Sequence, residues 1–201
     1  MILVAAQDRM LPVDTMVVTN HTVSIQGERI NYTAESGTQP VWDKEGKVIA
    51  SLFYTYYTRD GINDRSPRPL VISFNGGPGS ASVWMHLAYT GPRVLKIDDE
   101  GYPIQPYGVK ENPHSILDIA DIVYVNPVNT GYSRIVDKEV DAKKMFFGVN
   151  ADIKYLAEWI NTFVTRKERW TSPKYLIGES YGTTRVSGLA LELQNRQWMY
   201  H

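Results

Sequence analysis

The chain has no cysteine among its 201 residues. That excludes a disulfide scaffold, a thiolate nucleophile and a cysteine-bound zinc site. An excess of charge of one sign is missing too. Its 21 Lys+Arg stand against 22 Asp+Glu, a formal net charge of −1. Such a balance leaves no electrostatic footprint for nucleic acid or an anionic membrane. The densest basic cluster, Arg166-Lys167-Glu168-Arg169, reads as a solvated helix end. No apolar run reaches the length of a membrane helix. The apolar start, Met1-Ile2-Leu3-Val4-Ala5-Ala6, has no basic n-region and is too short for a whole signal peptide, so it is a remnant of one or a plain start. Histidine is scarce, at four, and unclustered, so no metal site is predicted. No cofactor motif stands out, and neither repeats nor low-complexity stretches occur.

What is present is a globular composition, 43% hydrophobic, long enough for one sizeable core. Residues 1–60 read as antiparallel. Segments 17–26 and 29–32 alternate apolar and polar about a break at Gly27-Glu28. A second hairpin turns at Asp43-Lys44-Glu45-Gly46 and returns along 48–58, rich in aromatic and β-branched side chains. After a polar loop at 61–69 the pattern changes. Leu70-Val71-Ile72-Ser73-Phe74, Ile122-Val123-Tyr124-Val125 and Tyr175-Leu176-Ile177 are short continuous apolar runs, as strands buried on both faces require. Between the last two, Val149, Ile153, Leu156, Ala157, Ile160, Phe163 and Val164 recur at helical spacing. Residues 98–113 read as loop and 183–194 as a helix. The expected fold is α/β: one domain over 1–201, with antiparallel hairpins feeding a mostly parallel sheet over 61–201 with flanking helices.

Gly178-Glu179-Ser180-Tyr181-Gly182 joins the last apolar run to the last helix. Strand, Gly-x-Ser-x-Gly, helix is the nucleophile elbow of α/β-hydrolases, a sharp turn that lifts one hydroxyl clear of the backbone. The chemistry then needs amide donors for a tetrahedral oxyanion. One is the N–H after the nucleophile, here Tyr181, and the other comes from a loop after an earlier strand. Asn75-Gly76-Gly77-Pro78-Gly79-Ser80 follows the first buried run and stands in that place. It lacks the Gly-Lys-Ser/Thr of a phosphate loop.

Together, Asn75 to Ser82 and Gly178 to Gly182 resemble the serine carboxypeptidase family. So does Asn126-Pro127-Val128-Asn129-Thr130-Gly131-Tyr132-Ser133. The likeness runs from about residue 45 to the end and is nearest the family's bacterial branch. It implies an α/β-hydrolase fold, removal of C-terminal residues from peptides, often at acidic pH, and a secreted or periplasmic location. It implies Ser180 as nucleophile and the N–H groups of Gly77 and Tyr181 as oxyanion hole. Asn75 and Glu179 would help bind the substrate's terminal carboxylate, Glu179 in its protonated form, and Gly76 and Tyr89 would also contact substrate. Two positions depart from the family pattern. Ser73 replaces a tryptophan, and Tyr89 replaces a glutamate before Gly91-Pro92, where its hydroxyl can still donate. Ser80 stands where the family has a cysteine.

A serine nucleophile needs a base within hydrogen-bond reach. In this fold the acid and histidine follow the serine, and His201 is the only histidine after Ser180. It would have to fold back. His86 follows the glycine loop, but a structural role is expected for it, as for His21 and His114. The chain is therefore expected to be the N-terminal part of a longer hydrolase, cut after the elbow helix and inactive or weakly active alone. The alternatives are an esterase or acyltransferase with the same elbow, or a fragment that functions by association, self-pairing through an exposed sheet edge.

Overall fold

The computed structural model describes residues 11–199. The apolar start at 1–6 and His201, the fold-back candidate, lie outside the described residues. Strands β1 (Thr15–Ile25) and β2 (Glu28–Trp42) form a hairpin whose turn residues, Gln26 and Gly27, both have positive φ. The second turn is capped by Asp43, whose carboxylate accepts the amides of Glu45 and Lys47, and leads into β3 (Val48–Arg59). β2 runs ten residues beyond the expected 29–32 because it is paired on both sides, with β1 as far as Thr38 and with β3 to Trp42. Pro40 falls past the end of β1, where one edge of β2 asks for no donor.

The remaining strands are β4 (Leu70–Phe74), β5 (Arg93–Leu95), β6 (Val109–Glu111), β7 (Asp121–Val125), β8 (Arg134–Ile135) and β9 (Lys174–Gly178). The helices are α1 (Ala142–Phe146), α2 (Val149–Arg166) and α3 (Tyr181–Gln197), with a wide helical turn at Met85–Thr90. β5 and β6 pair as a small ribbon, so the stretch read as loop over 98–113 carries a strand. α3 starts two residues earlier than its apolar pattern because Ser180 sits at its N-cap.

The main sheet has the order β1-β2-β3-β7-β4-β9, with β8 on β3. β7, β4 and β9 are mutually parallel, and β4 lies between the other two. Every residue of β4 and β7 is buried, which is why both read as unbroken apolar runs. α2 and α3 cover one face, packing Leu156, Ile160, Phe163 and Leu189 on Leu52, Ile72, Phe74 and Val125. Trp159 and Gln39 clasp α2 to β2, each side chain donating to the other's carbonyl (3.3 and 3.0 Å). The other face packs Val23, Ile25 and Ile30 with Val71, Met85, Leu117 and Ile122. No helix among the described residues is long and apolar enough to cross a membrane.

One end of the parallel strands is locked by charge. Asp121, fully buried, accepts from Arg68 Nε (2.8 Å), Arg65 Nη1 (2.7 Å) and Arg169 Nη1 (2.7 Å). Arg169 also donates to Tyr56, Ser172 and the carbonyl of Arg68. The segment 166–169 is thus a solvated helix end only in part, with Arg166 and Glu168 exposed. Arg169 is 1% exposed, and Lys167 pairs with Glu35. Helical spacing could not show this, because the partners lie 48 and 132 residues away.

Candidate active site

The opposite, C-terminal ends of β4, β7 and β9 carry the three motif segments side by side. This is the edge of a parallel sheet at which ligands bind. Because β4 and β9 are neighbours, the glycine loop and the elbow touch. The amide of Glu179 donates to Phe74 O across the junction (3.2 Å).

Ser180 is exposed and sits at φ 56°, ψ −125°. For a residue with a Cβ such a conformation costs on the order of 1–3 kcal/mol and persists only when its surroundings impose it. The surroundings are the two glycines. A Cβ at Gly178 would collide with the backbone of Gly182 and Thr183. One at Gly182 would press on Phe74 O and Asn75 O at 3.0 and 3.2 Å. The glycine loop closes in from the other side. A Cβ at Gly76 would stand 2.5 Å from Tyr181 N, 2.7 Å from Glu179 O and 2.8 Å from Ser180 Cβ. Only glycine lets the loop approach the Ser180 turn so closely. Gly77 has φ 104°. Among the described residues, the amides of Gly77 and Tyr181 donate to no protein acceptor. Tyr181 is the first residue of α3, where the helix leaves amides unpaired and the dipole favours negative charge.

Asn75 is buried and fixed at four points. Its amide N–H donates to Ser82 Oγ (3.2 Å), and its Oδ1 accepts from Met85 N (3.0 Å). Its Nδ2 donates to Glu179 Oε2 (3.2 Å), and its carbonyl accepts from Arg185 Nη1 (2.8 Å). Sequence reading brought Asn75, Gly76 and Glu179 together, and they are in contact. Tyr89 stands apart. The residue is 57% exposed, and among the described residues no hydrogen bond joins it to Asn75 or Glu179; its carbonyl accepts from Asn112.

Sequence reading missed Arg185 and Asp152. Arg185 is 1% exposed and crosses beneath the loop, donating to Asn75 O and Pro78 O (3.4 Å). Its Nε pairs with Asp152 Oδ2 at 2.8 Å, and its guanidinium lies 5.2 Å from the Tyr181 ring centroid. Asp152 in turn accepts from the Tyr155 hydroxyl, which accepts from Val128 N (3.2 and 3.1 Å). One buried chain thus ties the glycine loop, the elbow helix, α2 and segment 126–133. The available signal was an acid and a base, each on the inward face of its helix.

His86 packs against β3 and β7. Its Nε2 is 2.6 Å from Tyr57 OH, and its ring stacks on Tyr124 at 4.5 Å. His21 stacks on Tyr32 and meets Thr19. Burial pushes the His86 imidazole down to about 4, so it stays neutral where an unfolded histidine, near 6.5, takes a proton. Between those values the unfolded chain binds more protons. Stability therefore rises with pH through this window, is complete above about 6.5, and is lost as pH falls toward 4. The full term is at most about 3 kcal/mol. Urea unfolding at about pH 7 and about pH 4.5 should show His86→Phe losing less stability than the parent chain across that interval. Equal losses would contradict a neutral, buried His86.

The sequence profile of the serine carboxypeptidases matches residues 26–199. The chain belongs to the serine carboxypeptidase family. It is 30% identical over 171 residues to the human retinoid-inducible serine carboxypeptidase, covering 83% of this chain and 34% of that protein. It is 28% identical over 135 residues to serine carboxypeptidase S10 family member 1 of Dictyostelium discoideum, covering 66% of this chain and 29% of that one. Among solved structures it is similar to Kex1(delta)p, a prohormone-processing carboxypeptidase from Saccharomyces cerevisiae. The TM-score is 0.66 at 23% identity, over 83% of this chain and 35% of that one. That likeness, with the mixed sheet and flanking helices, gives an α/β-hydrolase fold. The chain spans about a third of the length of the relatives it matches, and those named here are eukaryotic.

Proposed function

We propose that this serine carboxypeptidase relative supplies the nucleophile and oxyanion site of an enzyme that removes C-terminal residues from peptides through an acyl-enzyme on Ser180. The observation that carries the reading is the contact of Gly76 with the elbow, which brings two unpaired amides beside an exposed serine. Ser180 Oγ attacks the last peptide carbonyl, and the amides of Gly77 and Tyr181 receive the developing oxyanion. Such a donor is typically worth about 10²–10³ in rate. Asn75 and Glu179 hold the terminal carboxylate, with Gly76 against the substrate. The acid and the histidine base are assigned to a further segment, as the greater length of the relatives suggests. The test compares hydrolysis of a blocked dipeptide with that of its C-terminal amide. A carboxypeptidase cleaves the free acid and leaves the amide nearly untouched.

A second reading, an esterase or acyltransferase on the same elbow, is favoured by Tyr89, which does not reach Glu179, and by Ser73, whose buried hydroxyl has no partner among the described residues. Equal turnover of acid and amide would select it. We assign the enzyme to the secreted or periplasmic space by family resemblance. We place it on the bacterial side of the family, a placement supported by Ser80 and the lack of cysteine.

The outer edge of β9 pairs with no strand among the described residues. A cavity of about 290 Å³ between β9 and α3 is lined by Ile72, Tyr175, Leu176, Val186, Leu193 and Met199. An exposed apolar edge of this kind templates pairing with another chain. Sedimentation velocity of the 201-residue chain should therefore show reversible self-association, and a strictly monomeric boundary at all concentrations would refute it.

A further inference from the structure

A second cavity, of about 560 Å³, opens between the β2–β3 turn, α1 and α2. Its volume is that of a small-ligand site. The floor is apolar: Val41, Ile49, Met145 and Tyr155 line it. Lys44, Lys144 and Lys154 also line it. All three are exposed, and none is in an ion pair among the described residues. Two acids share the rim. Asp43 is occupied, since its carboxylate caps the amides of Glu45 and Lys47. Glu158 is exposed; partial burial pushes its carboxyl upward, while the charges of Lys154 and Lys44 pull it down. An apolar floor under a rim on which three ammonium groups outnumber two carboxylates is complementary to a molecule with an apolar tail and one anionic head.

The geometry points to a binding site for an amphiphilic monocarboxylate, such as a medium-chain fatty acid, with its tail on Ile49 and Tyr155 and its carboxylate among Lys44, Lys144 and Lys154. The site lies apart from Ser180 and does not depend on the catalytic reading. It meets the catalytic edge through Tyr155, whose hydroxyl belongs to the network through Asp152 and Arg185 that holds the glycine loop.

The test is isothermal titration of the 201-residue chain with decanoate below its micellar concentration. Decanol and acetate serve as controls, one lacking the charge and the other the tail. Saturable one-to-one binding of decanoate is expected, with each control weaker by at least about tenfold. Lys44→Glu, in the exposed turn, should weaken decanoate by about tenfold. Ala151 also lines the cavity, and Ala151→Trp should fill it and remove binding, with circular dichroism confirming that both variants fold. Absence of saturable binding overturns the proposal. So does decanol binding as tightly as decanoate, or unchanged affinity in either folded variant.

Discussion

Replacing Ser180 with alanine is expected to lower kcat/KM of the complete enzyme for a C-terminal peptide bond by at least about 10⁴-fold, because loss of the nucleophile leaves only what the oxyanion site and binding supply. Stability should hardly change. Alanine keeps the Cβ, and with it the cost of φ 56° at this turn, so the urea midpoint should stay put. Ser180→Gly separates the two effects. It should be equally inactive but more stable by about 1 kcal/mol, since glycine adopts positive φ without the penalty. Steady-state kinetics and urea unfolding on the two variants read both quantities. An alanine variant that keeps a tenth of the parent rate would remove Ser180 from the chemistry. A glycine variant no more stable than alanine would show that the turn is not strained.

The second large effect lies at the far end of the sheet. Asp121→Asn should destabilise the fold by about 3–5 kcal/mol, as expected when one partner of a buried ionic cluster is removed. The carboxylate accepts from three arginines and from the Arg59 amide (3.1 Å). Asparagine keeps the shape but leaves the buried Arg169 and Arg68 facing each other without a counter-charge. Asp121 opens β7 next to Leu70 of β4, and Arg169 lies on the connection into β9. The loss should therefore loosen the alignment of all three parallel strands, including the two that carry the glycine loop and the elbow. The midpoint of urea unfolding should fall with little change in slope. A shift worth less than about 1 kcal/mol would mean that the cluster is screened like a surface pair.

These two sites mark what the sequence makes legible. The elbow and the glycine loop are written locally. Each is a few residues whose glycines answer to backbone contacts, and each follows an apolar run; β4 is buried throughout, whereas β9, expected to be buried on both faces, lies at the sheet's edge with Tyr175 55% exposed. The strands and α2 follow from periodicity for the same reason. The adjacency of the two motifs is not local, since it depends on β4 pairing with β9 across about a hundred residues. The Asp121 cluster and the Arg185 network are less visible still. A charge is buried only because its partner arrives from a distant element, so Arg169 looks like a surface residue until Asp121 is set beside it. Tyr89 shows the limit of positional carry-over. Its place in the chain resembles that of a family glutamate, yet the residue is 57% exposed and, among the described residues, no hydrogen bond joins it to Glu179.

The account rests on the claim that Ser180 is the activated hydroxyl beside the glycine loop. The most direct test is to treat the complete enzyme with a fluorophosphonate and map the adduct by peptide mass spectrometry. A single adduct on Ser180, absent from Ser180→Ala, is the predicted result. An adduct on Ser80 or Ser82 instead, or an active enzyme that takes no label, would contradict it.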